Sequence, residues 1–542
     1  MPTESSATIF ELCAEGASAT GTLTLVTGDG RSTRTSEDLL NEAESRASGL
    51  SDHGLHRGDS VGVVASTNFD FIVGCLAAWR AGLTVVLLPE PSRAMPTSTW
   101  KETLGRFMDT AGAKTLLSGR PLPELRHQVI LVEDIKSQHG SDLALPQAED
   151  RAFISFTSGT TGKPKGVVIS NAIAARRLTV QNLAGVTPGV DHLLSWLPLS
   201  FFSAFIASVL MPIVRGIPAT IIEQSLIGAD LSRWLLEMSR TRATVSMAPT
   251  FAFAGAARSI GKDVSEQVDL SNWTTAWVGG ESVDAHSLWR FVEATAEFGF
   301  DGRALVPAYG STEASGVSMT PYMEGPTVDL IDNESMRAGR AEPSTNVDDS
   351  SMFVAAGTFT ERSGLEDVEV RIISEAGNEL PERGIGEIYV RSPHVMDGYM
   401  DPEVNAQAFD HGWYKTGDLG YLASEYLFPA GRIKDMIIVR GRNIYADDVE
   451  RAVMGTPEIV AAAAVALPAE STEGLLVVAE FSPGDSADPD RVERDLKKAV
   501  WAEIGVSPQE VVLVAAGSLP RTEAGKIRRH LVGRTYKEGG YR

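Results

Sequence analysis

Strand-like and helix-like segments alternate between residues 20 and 230, and this alternation restricts the fold more than any other feature of the sequence. The strand-like runs are short, apolar and rich in β-branched residues, and they occupy Leu23–Val26, Ser60–Ala65, Thr84–Leu88 and Gln128–Val132. Between them lie stretches with helical periodicity, such as Ser36–Ser51 and Phe69–Gly82. Strands that alternate with helices predict an α/β fold in which helices cover the faces of a sheet.

The C-terminal part shows a second, smaller set of strands and helices after Arg432. Its strand-like runs are Met436–Val439, Ala461–Ala466, Leu475–Phe481 and Glu510–Val514, and its helical runs are Ala446–Gly455 and Asp488–Ile504. We therefore predict a large N-terminal domain over residues 1–431 and a small α+β domain over residues 432–542. Alternating runs at Val368–Ser374 and Gly386–Arg391 predict a β-rich subdomain over residues 321–431.

Length and charge restrict the class of ligand. A chain of 542 residues is too long for one hydrophobic core. Its formal net charge of −23 would repel nucleic acid and anionic membranes, so we expect small-molecule ligands and no nucleic acid. Cys13 and Cys75 are too few for a disulfide framework, and no run reaches the roughly 18 apolar residues of a membrane span. We expect a cytoplasmic protein without a membrane span.

The segment Thr157–Gly166 reads TSGTTGKPKG, a combination of hydroxyls, glycines and lysines that fits a polyphosphate. It is not a Walker A loop, because that motif would need glycine at Thr157 and serine or threonine at Pro164. Apolar runs at 152–156 and 167–170 predict strand–loop–strand rather than strand–loop–helix. From this segment alone, an ordinary turn and a phosphate loop both remain open.

Further motifs follow in order and carry a family resemblance. They are SWLPLS (195–200), VGGES (278–282), YGSTEAS (309–315), YKTGDLG (414–420), GRIKDMIIVRGRNIYADDVE (431–450) and PRTEAGKIRR (520–529). With TSGTTGKPKG they make the chain resemble the adenylate-forming superfamily, which includes acyl-CoA synthetases, fatty acyl-AMP ligases, nonribosomal adenylation domains and luciferases. Residues 327–372 look most like fatty acyl-AMP ligases, which carry extra sequence at this place. A surface insertion without consequence is the alternative.

The resemblance implies a ligase of natural product biosynthesis that uses ATP and Mg²⁺ to activate a carboxylic acid. The carboxylate would attack the α-phosphorus to give an acyl-adenylate, and the acyl group would pass to the thiol of coenzyme A or of carrier-protein phosphopantetheine. Glu313 would hold Mg²⁺, which prefers oxygen ligands, and Thr312 would bond the α-phosphate. As an isolated loop residue, Glu313 would instead face solvent. The β- and γ-phosphates would be bound by Thr157, Ser158, Gly159, Thr160, Thr161, Gly162 and Lys163.

The same resemblance assigns the adenosine site. Tyr309 would stack on adenine, and Asp418 would accept hydrogen bonds from the ribose hydroxyls, which Arg432 would also reach. A Gly-Asp turn between strands is the alternative for Asp418. The remaining residues of this site are Gly310 and Ser311, which follow Tyr309, and Gly279, Gly280 and Glu281, which would form the neighbouring wall.

Lys526 in PRTEAGKIRR corresponds to the family lysine that stabilises charge while the carboxylate attacks phosphorus. A flexible ammonium suits charge that is spread over two reacting oxygens. Lys434 falls at the family hinge. There the small domain would rotate, exchange Lys526 for a face that includes Gly441 and Asn443, and admit the thiol.

One departure from the family pattern follows the motif WLPL. Where family members usually carry histidine and glycine, this chain has Phe201 and Ala204, so the polar gate is missing. The apolar segment predicts a pocket for a hydrophobic acid, and plain core packing is the alternative. The predicted pocket residues are Trp196, Phe201, Phe202 and Phe205.

The missing gate also leaves a second hypothesis open. The enzyme would then form only the thioester, from an acyl-adenylate that a partner adenylating enzyme supplies. An alternative of another class is a non-catalytic nucleotide-binding protein, against which the presence of Lys526, Glu313 and Asp418 argues.

Overall fold

A computed structural model of the chain describes residues 7–17, 21–91, 97–136, 143, 145–157, 164–180, 190–228, 230–260, 268–439, 442–467, 474–482, 488–522 and 525–541. It has the α/β architecture that the alternation predicts. Two large, mainly parallel sheets are flanked by helices, and smaller, mainly antiparallel sheets follow toward the C-terminus. The loop residues 158–163 and Gly441, which the sequence assigns to ligand binding, lie outside the described residues.

The first large sheet brings three site motifs to one edge. Its described strands lie in the order Ser315–Met319, Leu305–Ser311, Thr275–Val278, Val245–Ala248, Leu193–Ser195, Ala219–Ile222, Thr22–Thr27 and Gly30–Thr35. The inner neighbours pair parallel, while the two outermost strands pair antiparallel. The strands that end at Ser195, Val278 and Ser311 therefore release the chain at the same carboxyl edge. Open α/β sheets bind ligands in the crevice outside this edge.

The second large sheet carries the predicted phosphate loop. Its described strands lie in the order Gly398–Tyr399, Lys165–Ser170, Arg151–Thr157, Thr84–Leu88, Ser60–Val64, Thr115–Ser118 and Gln128–Leu131. Thr84–Leu88 is buried at every position, as expected of a central parallel strand that is covered on both faces. Arg151–Thr157 and Lys165–Ser170 pair antiparallel, which confirms the prediction of strand–loop–strand.

The predicted β-rich subdomain contains two antiparallel sheets. One consists of Glu369–Ile373, Gly386–Arg391, Trp413–Ala423 and Phe409–Asp410, with Tyr426–Arg432 also paired to Trp413–Ala423. The other pairs Val328–Asp332 with Ser350–Val354, within the segment that resembles fatty acyl-AMP ligases. Asp418 lies inside a strand rather than in a turn, and its register partner is Arg432.

The chain from residue 436 onward has hydrophobic cores of its own. Its strands are Met436–Val439, Arg442–Tyr445, Ile459–Leu467, Gly474–Phe481 and Glu510–Ala515, and its helices are Ala446–Met454, Pro489–Ile504 and Arg529–Lys537. Two clusters of buried residues lie entirely within this part of the chain. We refer to it as the small domain and to the preceding chain as the large domain, and the boundary at 431–432 stays a prediction.

The large domain also contains α-helices between its strands. Their bounds are Ile9–Gly16, Ser36–Leu50, Phe69–Arg80, Thr97–Ala111, Asn171–Thr179, Phe202–Phe205, Met211–Arg215, Gln224–Ile227, Ser232–Thr241, Thr250–Ser259, Ala285–Thr295, Asn333–Arg337 and Pro402–Ala408. The helix Phe69–Arg80 begins where the Asn68 side chain accepts a hydrogen bond from the Phe71 N–H, the usual N-cap arrangement. Among the described helices, none is both long enough and apolar enough to cross a bilayer.

Candidate active site

Thr312 and Glu313 lie in a tight turn at the carboxyl edge of the first sheet, and Arg177 holds this turn. The Arg177 guanidinium donates hydrogen bonds to the carbonyl oxygens of Thr312 at 3.0 Å, Glu313 at 3.0 Å and His394 at 2.9 Å. Arg177 is only 6% exposed, and burial lowers its pKa to about 10. A planar guanidinium directed at three main-chain oxygens fixes the relative positions of the segments that carry them.

The Glu313 carboxylate is buried and oriented by a tyrosine. Glu313 is 8% exposed, and its Oε1 accepts a hydrogen bond from the Tyr399 hydroxyl at 2.8 Å. The Tyr399 ring also contacts Lys165, which follows the predicted phosphate loop. The Lys165 ammonium lies 5.3 Å from the ring centroid. This burial argues against the alternative in which Glu313 faces solvent.

The donor chemistry at Glu313 fits Mg²⁺. Mg²⁺ is usually held by one or two carboxylates together with substrate phosphates. No group of three or more His, Cys, Asp or Glu side chains among the described residues could hold a metal by itself. A metal at Glu313 would therefore depend on the nucleotide for its remaining ligands, and it would neutralise phosphate charge when bound.

The sequence reasoning missed Arg177 and Tyr399. Arg177 lies on the buried face of the helix Asn171–Thr179, together with Ala174 and Leu178. A charged residue on an otherwise apolar helix face is the signal that could have identified it, because a buried charge needs partners. Tyr399 gives no comparable signal, since tyrosine is common both in cores and at surfaces.

Asp418 is held by donors on both of its oxygens. The Tyr309 hydroxyl donates to Oδ2 at 2.7 Å, and the Arg432 Nε lies 2.9 Å from Oδ1. Burial raises the pKa of Asp418, while Arg432 acts in the opposite direction. Each carboxylate oxygen can accept a further hydrogen bond, which fits the predicted contact with ribose hydroxyls. Gly310 and Ser311 continue the strand of Tyr309, and the Ser311 hydroxyl accepts from the Ala314 N–H at 3.1 Å.

Glu281 and Gly280 follow the strand Thr275–Val278, and Lys526 of the small domain lies next to Gly280. The Glu281 carboxylate accepts a hydrogen bond from the main-chain N–H of Phe251 at 3.0 Å. Burial raises the pKa of Glu281, and the nearby Lys526 acts in the opposite direction. Gly280 has a φ of +82°, a conformation that glycine adopts without strain, so the backbone can turn here next to the incoming lysine.

Lys526 reaches this edge from a short hairpin of the small domain. The hairpin is closed by the Thr522 N–H, which donates to the Lys526 carbonyl at 2.7 Å, and Arg521 anchors it to Glu480 through contacts of 2.9 and 3.0 Å. The Lys526 ammonium lies 5.7 Å from the centroid of the Phe201 ring. Burial lowers the pKa of Lys526, while Glu281 acts in the opposite direction.

The predicted hinge lies next to the predicted ribose site. Lys434 belongs to the turn Ile433–Asp435, directly after the strand that ends at Arg432. Arg529 of the small domain holds this turn, because its Nη1 lies 2.8 Å from Asp435 Oδ2, while its Nη2 lies 2.7 Å from Glu450. Asn443 stands opposite Ile438 in the strand pair at the start of the small domain. The roles of Lys434, Gly441 and Asn443 stay predictions.

The structure separates the four predicted pocket residues. Phe201 lies at the site, half-buried beside Lys526. Phe202 and Phe205 pack in the core of the large domain, where both contact the Phe153 ring, and Trp196 packs against Trp234. Phe205 is fully buried, as is Ala204 in the place of the family glycine. The placement of these three aromatic residues agrees with the core-packing alternative, and their assignment to an acid pocket stays a prediction.

Comparisons with known proteins agree with this arrangement of motifs. The profile of the AMP-binding enzyme family matches residues 13–400. The chain is 30% identical to the long-chain-fatty-acid–AMP ligase FadD28 of Mycobacterium tuberculosis, over 89% of this chain and 88% of that protein. It is also 30% identical to a putative acyl-CoA synthetase of Caulobacter vibrioides, over 93% and 90% of the two chains.

A solved structure from studies of fatty acyl-adenylate ligases of E. coli and L. pneumophila has the same fold. It superposes with a TM-score of 0.88 and 26% identity over 98% of each chain. The relatives are thus similar to this chain in sequence, and the solved structure is similar to it in fold. The chain belongs to the AMP-binding enzyme family.

Proposed function

We propose that this enzyme activates a hydrophobic carboxylic acid with ATP and transfers the acyl group to the thiol of coenzyme A or of carrier-protein phosphopantetheine. The observation that carries the proposal is the position of Lys526. This small-domain lysine lies beside Gly280 and Glu281 of the large domain, close enough for the Asp418 and Arg432 charges to act on it. Lys526 belongs to the small domain but extends to the proposed nucleotide site of the large domain. A cation at this place would reduce the repulsion between the two anionic reactants.

In the first half-reaction, a carboxylate oxygen of the acid forms a bond to the α-phosphorus of ATP. The bond from that phosphorus to the bridging oxygen breaks, and pyrophosphate leaves with the electron pair. Lys526 stabilises the negative charge on the reacting oxygens, and Thr312 donates its hydroxyl to the α-phosphate. Asp418 and Tyr309 hold the adenosine, while Glu313 would hold Mg²⁺.

In the second half-reaction, a thiolate attacks the acyl carbonyl carbon, the bond to the AMP oxygen breaks, and AMP leaves. The thiol needs a path to this carbon, and Lys526 occupies one side of it. Rotation of the small domain about Lys434 would remove the lysine and present the strands on either side of Gly441 instead. This half-reaction therefore does not need the Lys526 ammonium.

The segment 327–372 supports the fatty acyl-AMP ligase type. Its strand Ser350–Val354 touches the small domain, because Arg451 donates to the Met352 carbonyl at 3.2 Å. A contact made in only one orientation favours that orientation over the rotated one. It would favour the orientation for adenylate formation, and similarity to FadD28, which is a long-chain-fatty-acid–AMP ligase, supports the same class of acid.

The test measures the two half-reactions separately. Purified enzyme is given ATP, Mg²⁺ and a panel of acids, and acid-dependent pyrophosphate and acyl-AMP are measured by a coupled assay and by mass spectrometry. Thioester formation from supplied acyl-AMP is measured with coenzyme A and with a phosphopantetheinylated carrier protein. Lys526→Ala should abolish the first reaction and spare the second, while exposed Lys498→Ala should change neither. Equal loss of both reactions in Lys526→Ala would contradict the proposed role.

The alternative of thioester formation only is motivated by Phe201 in the place of the family histidine. It predicts little pyrophosphate release with any acid but efficient use of supplied acyl-AMP. One electrostatic group contributes about 10²-fold to 10³-fold to such a rate, so its loss alone would weaken rather than remove the first half-reaction. The same pair of assays decides between the two functions.

A further inference from the structure

The Phe201 ring and the Lys526 ammonium meet across the boundary between the two domains. Their separation is 5.7 Å from Nζ to the ring centroid. Both groups border Gly280, because a Cβ built on that glycine would lie 3.6 Å from Lys526 Nζ and 3.6 Å from Phe201 Cζ. The glycine thus leaves a narrow space that the lysine and the aromatic ring share.

We propose that the Phe201 ring is the docking face for the Lys526 ammonium, so that Phe201 is a positioning residue for acyl-adenylate formation. The inference rests on the proposed function, since it concerns the lysine assigned to the first half-reaction. The face of an aromatic ring carries partial negative charge and attracts a cation within about 6 Å of its centroid. Phe201, which stands where family members usually carry histidine, would therefore replace the polar gate by an aromatic ring that binds the Lys526 ammonium.

A ring contact has one advantage over an ion pair at this place. An ammonium has three N–H donors, and a carboxylate bound to it directly would occupy one or two of them. No carboxylate among the described residues lies within 4.0 Å of Lys526 Nζ in an ion pair, although Glu281 and Asp418 are near enough to attract it. Held by the ring, Lys526 keeps its donors for the reacting oxygens of the acid and the phosphate.

Phe201 is rigid enough to act in this way. Its N–H donates to the Pro198 carbonyl at 3.0 Å, and its own carbonyl accepts from the Phe205 N–H at 3.0 Å. Phe205 is fully buried in the core of the large domain. The ring is therefore attached to a fixed backbone, while Lys526 arrives on a hairpin of the small domain, so the contact also favours the orientation in which the lysine is docked.

Several charged groups near Lys526 affect its pKa, and the effect of the ring adds to theirs. Glu281 and Asp418 favour the ammonium form, whereas Arg432 and burial disfavour it. Burial is the largest of these effects and lowers the pKa of Lys526, whereas the attraction of the ring face for a cation acts in the opposite direction. Loss of the ring's attraction should then lower the pKa of Lys526.

The first test varies the electrostatics of the ring and keeps its shape. Phe201 is replaced by mono-, di- and trifluorinated phenylalanine, which weakens the negative charge of the ring face stepwise. A separate variant, Phe201→Leu, removes the ring. We expect the rate of acid-dependent pyrophosphate release to fall with each fluorine and by about 2-fold to 30-fold in Phe201→Leu. Thioester formation from supplied acyl-AMP should not follow the fluorine series. A rate that is flat across the series would overturn the proposal.

The matched control is a second cation–ring pair of the chain. The Arg34 guanidinium lies 5.5 Å from the centroid of the Phe69 ring, and Phe69 lies at the start of the helix Phe69–Arg80. Phe69→Leu removes a ring contact of similar length and should leave the ratio of the two half-reactions unchanged. If Phe69→Leu reproduces the effect of Phe201→Leu on this ratio, the effect is general destabilisation and the proposal is wrong.

The second test does not depend on turnover. The rate at which acetic anhydride modifies Lys526, followed by mass spectrometry across a pH series, gives the pKa of this amine in the enzyme alone. We expect Phe201→Leu and the trifluorinated variant to lower it by about 0.4 to 1.5 pH units. An unchanged pKa in both would refute the ring contact. Absence of pyrophosphate release from the wild-type enzyme would instead refute the proposed function, and the labelling result would still decide the role of Phe201.

Discussion

Replacement of Arg177 by methionine should test whether the Thr312–Glu313 turn depends on one buried guanidinium. The substitution keeps a long side chain but removes the donors to three carbonyl oxygens. The Glu313 carbonyl retains a hydrogen bond from the Met396 N–H at 2.7 Å, so the carbonyls of Thr312 and His394 are the two that lose their donor.

The expected loss follows from these two acceptors. An unsatisfied buried acceptor costs about 1–3 kcal/mol, so two of them give about 2–6 kcal/mol. The Thr312 contact is only partly buried, and methionine avoids the cost of burying a charge. We therefore expect the lower part of the range, with a free energy of unfolding reduced by about 2–3 kcal/mol.

The assay is urea unfolding of the large domain, followed by tryptophan fluorescence, together with the rate of acid-dependent pyrophosphate release. Both should fall in Arg177→Met, because the turn carries Thr312 and Glu313. The neighbouring Arg176 is half-buried on the same helix, and Arg176→Met is the matched control. A loss below about 1 kcal/mol with an unchanged rate would show that Arg177 does not hold the turn.

Two further predictions concern the ribose site and pH. Asp418→Ala should weaken binding of both ATP and acyl-AMP by about 1.5–3 kcal/mol, and unchanged affinities in calorimetry would contradict the ribose contact. Burial and Arg177 lower the pKa of His394 from 6.5 to about 4. The unfolded chain therefore binds a proton first, and the free energy of unfolding should fall by about 3 kcal/mol as the pH falls through this interval. His394→Gln should reduce this dependence in urea titrations at several pH values, whereas an equal dependence would exclude His394 as its source.

Regular elements were predictable where one periodicity dominates. Gly386–Arg391 and Met436–Val439 have the predicted bounds, because alternation and β-branched content agree there. The helix that starts at Phe69 ends at Arg80, two residues before the predicted end at Gly82. Gly82 adopts a φ of +72°, which a helix cannot continue through, so the glycine ends the helix instead of belonging to it.

The site was predictable only in part, because motifs identify residues but not the groups that hold them. The motifs led to Asp418, Glu313 and Lys526, and Asp418 lies near enough to both of the others for their charges to interact. Arg177 contacts Thr312 across 135 positions of sequence, and no local pattern contains such a pairing. The aromatic run after Trp196 shows that a sequence pattern also fails to separate site residues from core residues. Phe201 and Phe205 belong to the same apolar run, but Phe201 lies beside Lys526 and Phe205 lies in the core.

The strand Tyr426–Arg432 leads without interruption from the predicted ribose site into the predicted hinge turn, and Arg529 connects that turn to the small domain. If the small domain rotates at this turn as proposed, occupancy of the ribose site and orientation of the small domain are coupled. Thermodynamic reciprocity requires that a nucleotide which favours one orientation is itself bound more tightly in that orientation, by the same factor. Under this proposal, measured affinities for ATP and AMP are averages over domain orientations, and a substitution that shifts the orientations would shift the affinities without changing a nucleotide contact.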